Sequence, residues 1–258
     1  MIDTHCHIND DLYISNPEQY ISDGLEAGVK KFLVVGFDLK SSINAVNIAE
    51  KHDFLYAAVG IHPSDIKKAS LSDFDEIDQL AENKNVIAIG EIGLDYYWDK
   101  DPEIKEQQKA GFIKQIEIAN KHNLPISIHC REAIEDTLEI LKKHPVKRGG
   151  IMHCYAGSPE SAKEFIKLGF LLGIGGVVTF KNSQKLKEVV MQIPSDSYVL
   201  ETDSPYLTPE PFRGKPNHSK YLCYVRDKIA ELRNISAEKV VQETTENFER
   251  VFLKWRRL

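Results

Sequence analysis

Short apolar runs recur along the chain, separated by longer stretches in which apolar residues return at helical spacing. Eight runs predict strands: MIDTHCH, KKFLVVGFD, LYAAVGIHP, VIAIGEIGLDY, PISIHCR, GGIMHCYAG, FLLGIGGVV and YVLETDSPY. Most are continuous rather than alternating, the pattern of parallel strands covered on both faces. Between them, EIKEQQKAGFIKQIEIANKH predicts an amphipathic helix with Phe112, Ile116 and Ala119 on one stripe. Eight alternating strand–helix units in 258 residues match a single (β/α)8 TIM-like barrel in count and size. An open doubly wound sheet is the alternative, but it ordinarily uses fewer strands. No low-complexity segment or Gly/Ser linker interrupts the pattern, so residues 1–258 read as one domain. The Pro- and Gly-rich SPYLTPEPFRGKPNHS follows the eighth strand and reads as a long loop on the barrel's working face.

Polar residues fall at particular places in this pattern. His5 and His7 end the first strand, Glu91 the fourth, His129 the fifth, His153 the sixth and Asp203 the eighth. Positions i and i+2 of a strand share a face, so His5 and His7 converge. In a barrel all these ends lie on the C-terminal face, where this architecture places its chemistry. A lone histidine at a strand end is ordinarily a hydrogen-bonded core residue, but six ligand-type residues at equivalent ends are not explained that way. Four imidazoles and two carboxylates exceed the three protein ligands of a catalytic zinc. They suit two divalent cations about 3.5–4 Å apart that share a carboxylate.

Other candidates fit structural roles better. His52, His122 and His144 stand near the ends of predicted helices, where an imidazole suits the carbonyl end of the dipole. Cys6, Cys130 and Cys154 each adjoin a candidate ligand, so strand alternation turns them toward the helix layer as small apolar residues. Cys223 falls on a predicted helix and carries no signal. GIGGVV matches neither common phosphate-cradle motif, and close packing at a barrel strand accounts for its glycines. The terminal FLKWRRL reads as a solvated helix end with Trp255 packed inward.

Composition narrows the function. The chain is 42% hydrophobic and 28% charged, with a formal net charge of -6. That balance argues against a broad basic surface for long duplexes, though not against a locally positive site. No run approaches the length of a membrane span, and the N-terminus lacks the basic-then-apolar pattern of a secretory signal. Four cysteines without CxxC spacing read as reduced thiols of a cytoplasmic protein.

With those residues in place, the sequence resembles the TatD family of metal-dependent deoxyribonucleases, within the amidohydrolase-like group. The resemblance spans nearly the whole chain and rests on DTHCH, VGIHP, GEIGLDY, HCREA, HCYAG and LETDSPYL in family order. It implies a TIM-like barrel that hydrolyses DNA phosphodiesters, often from a 3′ end, with single-stranded or frayed DNA as the partner. It further implies that His5, His7 and Asp203 hold one cation, that His129 and His153 hold the second, and that Glu91 bridges them. Zinc, manganese, magnesium, cobalt or iron would serve. Glu91 stands where many amidohydrolases carry a carbamylated lysine, which fits TatD better. The chain departs from the family where PNHSKY follows FRGK, at Pro216-Asn217-His218, and where Tyr155 and Ala156 replace a common Phe-Ser pair.

In the implied mechanism Glu91 and Asp203 are the catalytic carboxylates, and Asp203 also orients the attacking water and accepts its proton. Two cations against two carboxylates leave the site net positive even with a bound hydroxide, which attracts phosphate. His62, Arg131 and Arg213 are candidates for substrate binding, the arginines through the guanidinium fork. Tyr96 or Tyr206 would stack a terminal base. Two other functions compete: hydrolysis of a small amide, lactone or ester by the same activated water, and non-catalytic binding. The filled set of ligand positions and the lack of a basic stripe weigh against the second.

Overall fold

All eight apolar runs form strands: β1 (Ile2–Cys6), β2 (Lys31–Val35), β3 (Leu55–Val59), β4 (Val86–Asp95), β5 (Ile126–Arg131), β6 (Gly150–Met152), β7 (Phe170–Ile174) and β8 (Tyr198–Leu200). They pair in parallel and in sequence order. The structure, a computed structural model, describes residues 1–254, so the expectation for Trp255 lies outside the described residues. β8 and β1 meet through fewer bonds than their neighbours. His7 N–H donates to Ser204 O, and Asp203 N–H to His5 O, each at 2.9 Å. The buried carboxylate of Asp3 completes this seam, accepting from Thr202 N–H at 3.0 Å and from the Thr202 hydroxyl at 2.7 Å. The result is the expected barrel, not the open sheet.

Helices α1 (Pro17–Glu26), α2 (Leu39–Ala49), α3 (Leu71–Leu80), α4 (Pro102–Lys121), α5 (Ile134–Lys143), α6 (Pro159–Lys167) and α7 (Gln184–Gln192) fill the crossovers. Two more, α8 (Leu222–Arg233) and α9 (Ala237–Phe248), follow β8. Their starts are chemically marked. Ser70 and Ser158 open α3 and α6 with capping boxes, while Asp101 accepts from Glu103 N–H ahead of Pro102 in α4. Phe112, Ile116 and Ala119 of α4 are buried as one stripe.

The strands are apolar on both sides because both sides are covered. Phe32 and Val34 of β2 face outward into the layer shared with the helices. Their neighbours Leu33 and Val35 face inward, joining Ile2, Ala58, Ile87 and Val199 in a second cluster inside the barrel. Phe248 and Phe252, stacked 4.8 Å apart at the C-terminal end of α9 and in the turn after it, belong to that inner cluster. Two of the three glycines of GIGGVV, Gly173 and Gly176, are spacers, as expected. A Cβ on Gly173 would stand 2.2 Å from Glu201 Oε2, and one on Gly176 would stand 2.0 Å from Leu207 O.

Candidate metal centre

The six ligand-type residues converge at the C-terminal mouth of the barrel. His5, His7, Glu91 and His153 are buried there, and Asp203 is only slightly open. Glu91 is not at a strand end, since β4 runs on to Asp95 and pairs beyond it with β5. Gly93 makes that extension possible. Its φ is +140°, and a Cβ there would stand 2.0 Å from His129 O. Asp203 has φ +57°, a left-handed turn that an aspartate tolerates better than most residues.

Three imidazoles turn Nε2 toward the carboxylates of Glu91 and Asp203. His5 Nε2 lies 3.5 Å from Glu91 Oε2 and 3.9 Å from Asp203 Oδ1. His7 Nε2 lies 3.8 and 3.4 Å from the same two oxygens. His153 Nε2 lies 3.8 Å from Glu91 Oε1 and 3.6 Å from Asp203 Oδ1. These separations are long for hydrogen bonds. They match the edges of a coordination shell, because tetrahedral ligands about 2.1 Å from a cation stand about 3.4 Å apart.

The opposite nitrogens of His7 and His5 are hydrogen-bonded, and that of His153 faces a carboxylate. His7 Nδ1 sits 2.8 Å from Val35 O, His5 Nδ1 3.3 Å from Ser127 Oγ, and His153 Nδ1 3.2 Å from Glu201 Oε1. An imidazole whose Nδ1 donates to an acceptor presents Nε2 as a free lone pair, the arrangement metal-binding histidines use. His129 is turned the other way. Its Nε2 meets Asp95 Oδ2 at 2.9 Å, and its Nδ1 faces Glu91 Oε1 at 2.8 Å.

Charge follows from these contacts. Burial disfavours the cationic forms of His129 and His153, yet the surrounding carboxylates override it and raise them to about 9 and about 10. Burial likewise opposes the Glu91 anion, but the imidazoles around it hold its carboxyl well below the usual range. A cation entering this cup would displace protons from the imidazoles. The residues fit divalent metal, and groups able to hold one include His5–His7–Asp203, His5–Glu91–His153 and His62–Glu91–His129.

His62 stands closer to the centre than its expected role required, with Nε2 3.7 Å from Glu91 Oε1. Its Nδ1 accepts from Ser64 N–H at 3.1 Å, so the neutral ring carries its proton on Nε2. Burial and neighbouring His129 push its pKa down to about 4, which keeps the ring neutral. That leaves His62 a hydrogen-bond donor facing the cavity.

Several expectations need correction. Asp95 and Glu201 orient His129 and His153, and sequence reasoning missed both. Glu201 had a signal, since it precedes Asp203 by the same two-residue step that marked His5 and His7. With these two acids the site carries four carboxylates, where the sequence reading counted two. Cys154 does not turn toward the helix layer. β6 ends at Met152, and Cys154 (φ +45°) stands with His153 and Glu201 at the mouth. Cys130 contacts Thr137 of α5, as expected. Tyr96 is buried and its hydroxyl donates to Asp136, so it cannot stack a base. Arg213 lies over Phe180, 4.1 Å from the ring, and does not line the cavity. His52 and His122 pair with Glu18 and Asp78 outside the site, as expected.

The centre opens into a cavity of about 720 Å³, a volume that suits a small ligand or one end of a larger one. His62, Arg131, Trp98, Tyr155, Val177 and Tyr206 are among its walls. Among the described residues no helix is long and apolar enough to cross a membrane.

Comparison with known proteins agrees with this architecture. The chain is 46% identical over 253 residues to an uncharacterized metal-dependent hydrolase, YabD, of Bacillus subtilis (strain 168), covering 98% of each. It is 34% identical to YcfH of Escherichia coli (strain K12), also an uncharacterized metal-dependent hydrolase, over 98% of this chain and 95% of that protein. The crystal structure of YjjV, a TatD homolog from Escherichia coli K12, superimposes with a TM-score of 0.93 at 32% identity, covering 98% of this chain and 97% of that one. The family described as TatD related DNase matches residues 2–253, and the chain belongs to this TatD family of metal-dependent hydrolases.

Proposed function

We propose that the chain is a deoxyribonuclease that hydrolyses phosphodiesters at the 3′ end of single-stranded or frayed DNA. The observation that carries the two-cation form of this reading is the split role of Glu91. Its Oε2 faces His5 and His7 at 3.5 and 3.8 Å. Its Oε1 faces His129, His62 and His153 at 2.8, 3.7 and 3.8 Å. One carboxylate thereby serves two sets of ligands. His5, His7 and Asp203 would hold one cation, His129 and His153 the other, with Glu91 between them. Zinc, manganese, cobalt, iron or magnesium suits these donors.

Bound there, divalent cations supply Lewis acidity, lowering the pKa of water toward about 7 and neutralising charge on phosphate oxygens. The remaining work falls to side chains. Asp203, the most open of the cup's carboxylates, orients the attacking water and accepts its proton. His62 donates from Nε2 to a phosphate oxygen. Arg131 supplies the permanent positive charge among the cavity residues named above. The closed barrel floor and the cavity's size favour the end of a strand over a continuous duplex.

The apolar wall at Val177 and Leu186 also suits hydrolysis of a small ester or amide. One experiment separates the readings: metal analysis of the purified protein, then digestion of a 3′-overhang oligonucleotide with each candidate ion beside a panel of lactones and cyclic amides. Release of nucleotides from the 3′ end supports the nuclease. Turnover confined to the small substrates overturns it.

A further inference from the structure

The turn after β4 carries two aromatic side chains that the metal chemistry does not use. Tyr97 is 40% exposed and Trp98 68% exposed, and Trp98 lines the cavity. Their rings meet edge to face with centroids 4.7 Å apart. This rim is built onto the centre. The backbone N–H groups of Tyr97 and Trp98 donate to Asp95 Oδ1 at 3.0 and 3.2 Å, while Asp95 Oδ2 meets His129 Nε2 at 2.9 Å. One carboxylate therefore sets both an imidazole of the centre and the turn that presents the indole.

The cation beside them is placed with equal care. Parallel pairing sets Arg131 of β5 against Asp95 of β4. Its guanidinium lies 3.8 Å from the Tyr97 ring and 5.6 Å from the Trp98 ring. Among the described residues these π faces, not a carboxylate, hold it. An indole this open forfeits hydrophobic stabilisation, and it stands at the mouth of a cavity rather than scattered on the surface. A planar apolar face next to an unpaired guanidinium matches a nucleobase joined to a phosphate. Tyr206, also exposed, is the weaker platform: its ring meets His7 edge to face, 6.3 Å away, and has no cation beside it among the described residues.

We propose that Trp98 is the platform on which the substrate's terminal base stacks, with Tyr97 holding Arg131 against the adjoining phosphate. This deepens the deoxyribonuclease reading and rests on it. A small amide or lactone held at the metal would not span to this rim.

The test compares two oligonucleotides, one with an intact 3′-terminal base and one with an abasic 3′ end. Base–aromatic stacking of ordinary strength makes the wild-type protein prefer the intact end by about tenfold, mainly through KM. Trp98→Ala brings that ratio to about one, and Trp98→Phe, which keeps a ring, retains most of it. A second readout needs no turnover. In metal-free protein the intact oligonucleotide quenches indole emission, and Trp98→Phe, which leaves Trp255, loses the quenching. If the wild type cuts both ends equally, or Trp98→Ala keeps the preference, the platform is wrong while the nuclease reading stands. If the wild type cuts no oligonucleotide with any candidate metal, that reading falls and the platform falls with it.

Discussion

The two ends of this barrel are made by the same strands and obey opposite rules. At the floor, Leu33, Ile87 and Val199 meet Phe248 and Phe252 in an apolar interior. Its side chains are aliphatic and aromatic groups that cover one another. At the mouth, a few residues along β1, the interior is filled by imidazoles and carboxylates 3.4–3.9 Å apart. His129 is hydrogen-bonded to Glu91 and Asp95, but the Nε2 atoms of His5, His7 and His153 stand too far from the carboxylates for hydrogen bonds. The floor is complete by itself, whereas the mouth is complete only with cations from solution.

The largest expected effect tests that division directly. Glu91→Ala removes the carboxylate shared by both sets of ligands and should lower hydrolysis by at least about a thousandfold, roughly 4 kcal/mol of barrier. The far-UV circular dichroism should stay that of a folded barrel. An active Glu91→Ala protein would break the bridging role. At the other end, Phe248→Ala should cost about 3–5 kcal/mol of stability, read by denaturant unfolding. Its folded fraction should turn over substrate as the wild type does. A matching loss of turnover would show that floor and mouth are not separable.

Metal removal sharpens the same contrast. A chelator should lower the melting temperature of the wild type by about 5–10 °C, the effect of losing a ligand present at about a hundred times its dissociation constant. Phe248→Ala should show the same drop from its lower starting point, and Glu91→Ala should show little. A wild type indifferent to chelation would mean that the mouth's charges are satisfied without metal.

Much of this was legible in the sequence, for physical reasons. Parallel strands covered on both faces leave continuous apolar runs, so the eight strands could be read directly. Ligands that interrupt those runs at equivalent places stand out, as His5, His7, His129 and His153 did. Residues that orient ligands leave no such mark. Asp95 ends β4 within a polar stretch and acts through the register that sets β4 beside β5, which periodicity does not encode. Cys154 was misplaced because alternation holds only while the strand lasts, and β6 stops at Met152. Arg213 and Tyr96 lay in suitable segments, but Phe180 and Asp136 claim them.

The smallest expected effect concerns the departure at Pro216-Asn217-His218, beside the mouth but outside its chemistry. Asn217 is fully buried and donates to Thr202 O and Tyr206 O, each at 2.7 Å, so it pins the loop that carries Asp203. His218 packs against Tyr20 with ring centroids 4.0 Å apart, and Asp23 and Lys220 are the charged groups around it. Burial, with help from Lys220, outweighs Asp23 and pushes its pKa down to about 4. In the unfolded chain that imidazole takes up a proton near its ordinary pKa of about 6.5, which the folded loop refuses. The contribution to stability is therefore complete above about pH 6.5 and declines as pH falls toward 4, by at most about 1.4 kcal/mol per pH unit. His218→Gln should flatten that part of the stability profile, measured by denaturant unfolding between pH 4 and 7. An unchanged slope would place the sensitivity among the imidazoles of the mouth. Saturating metal should then suppress it, because a cation bound there competes with their protons and has no hold on His218.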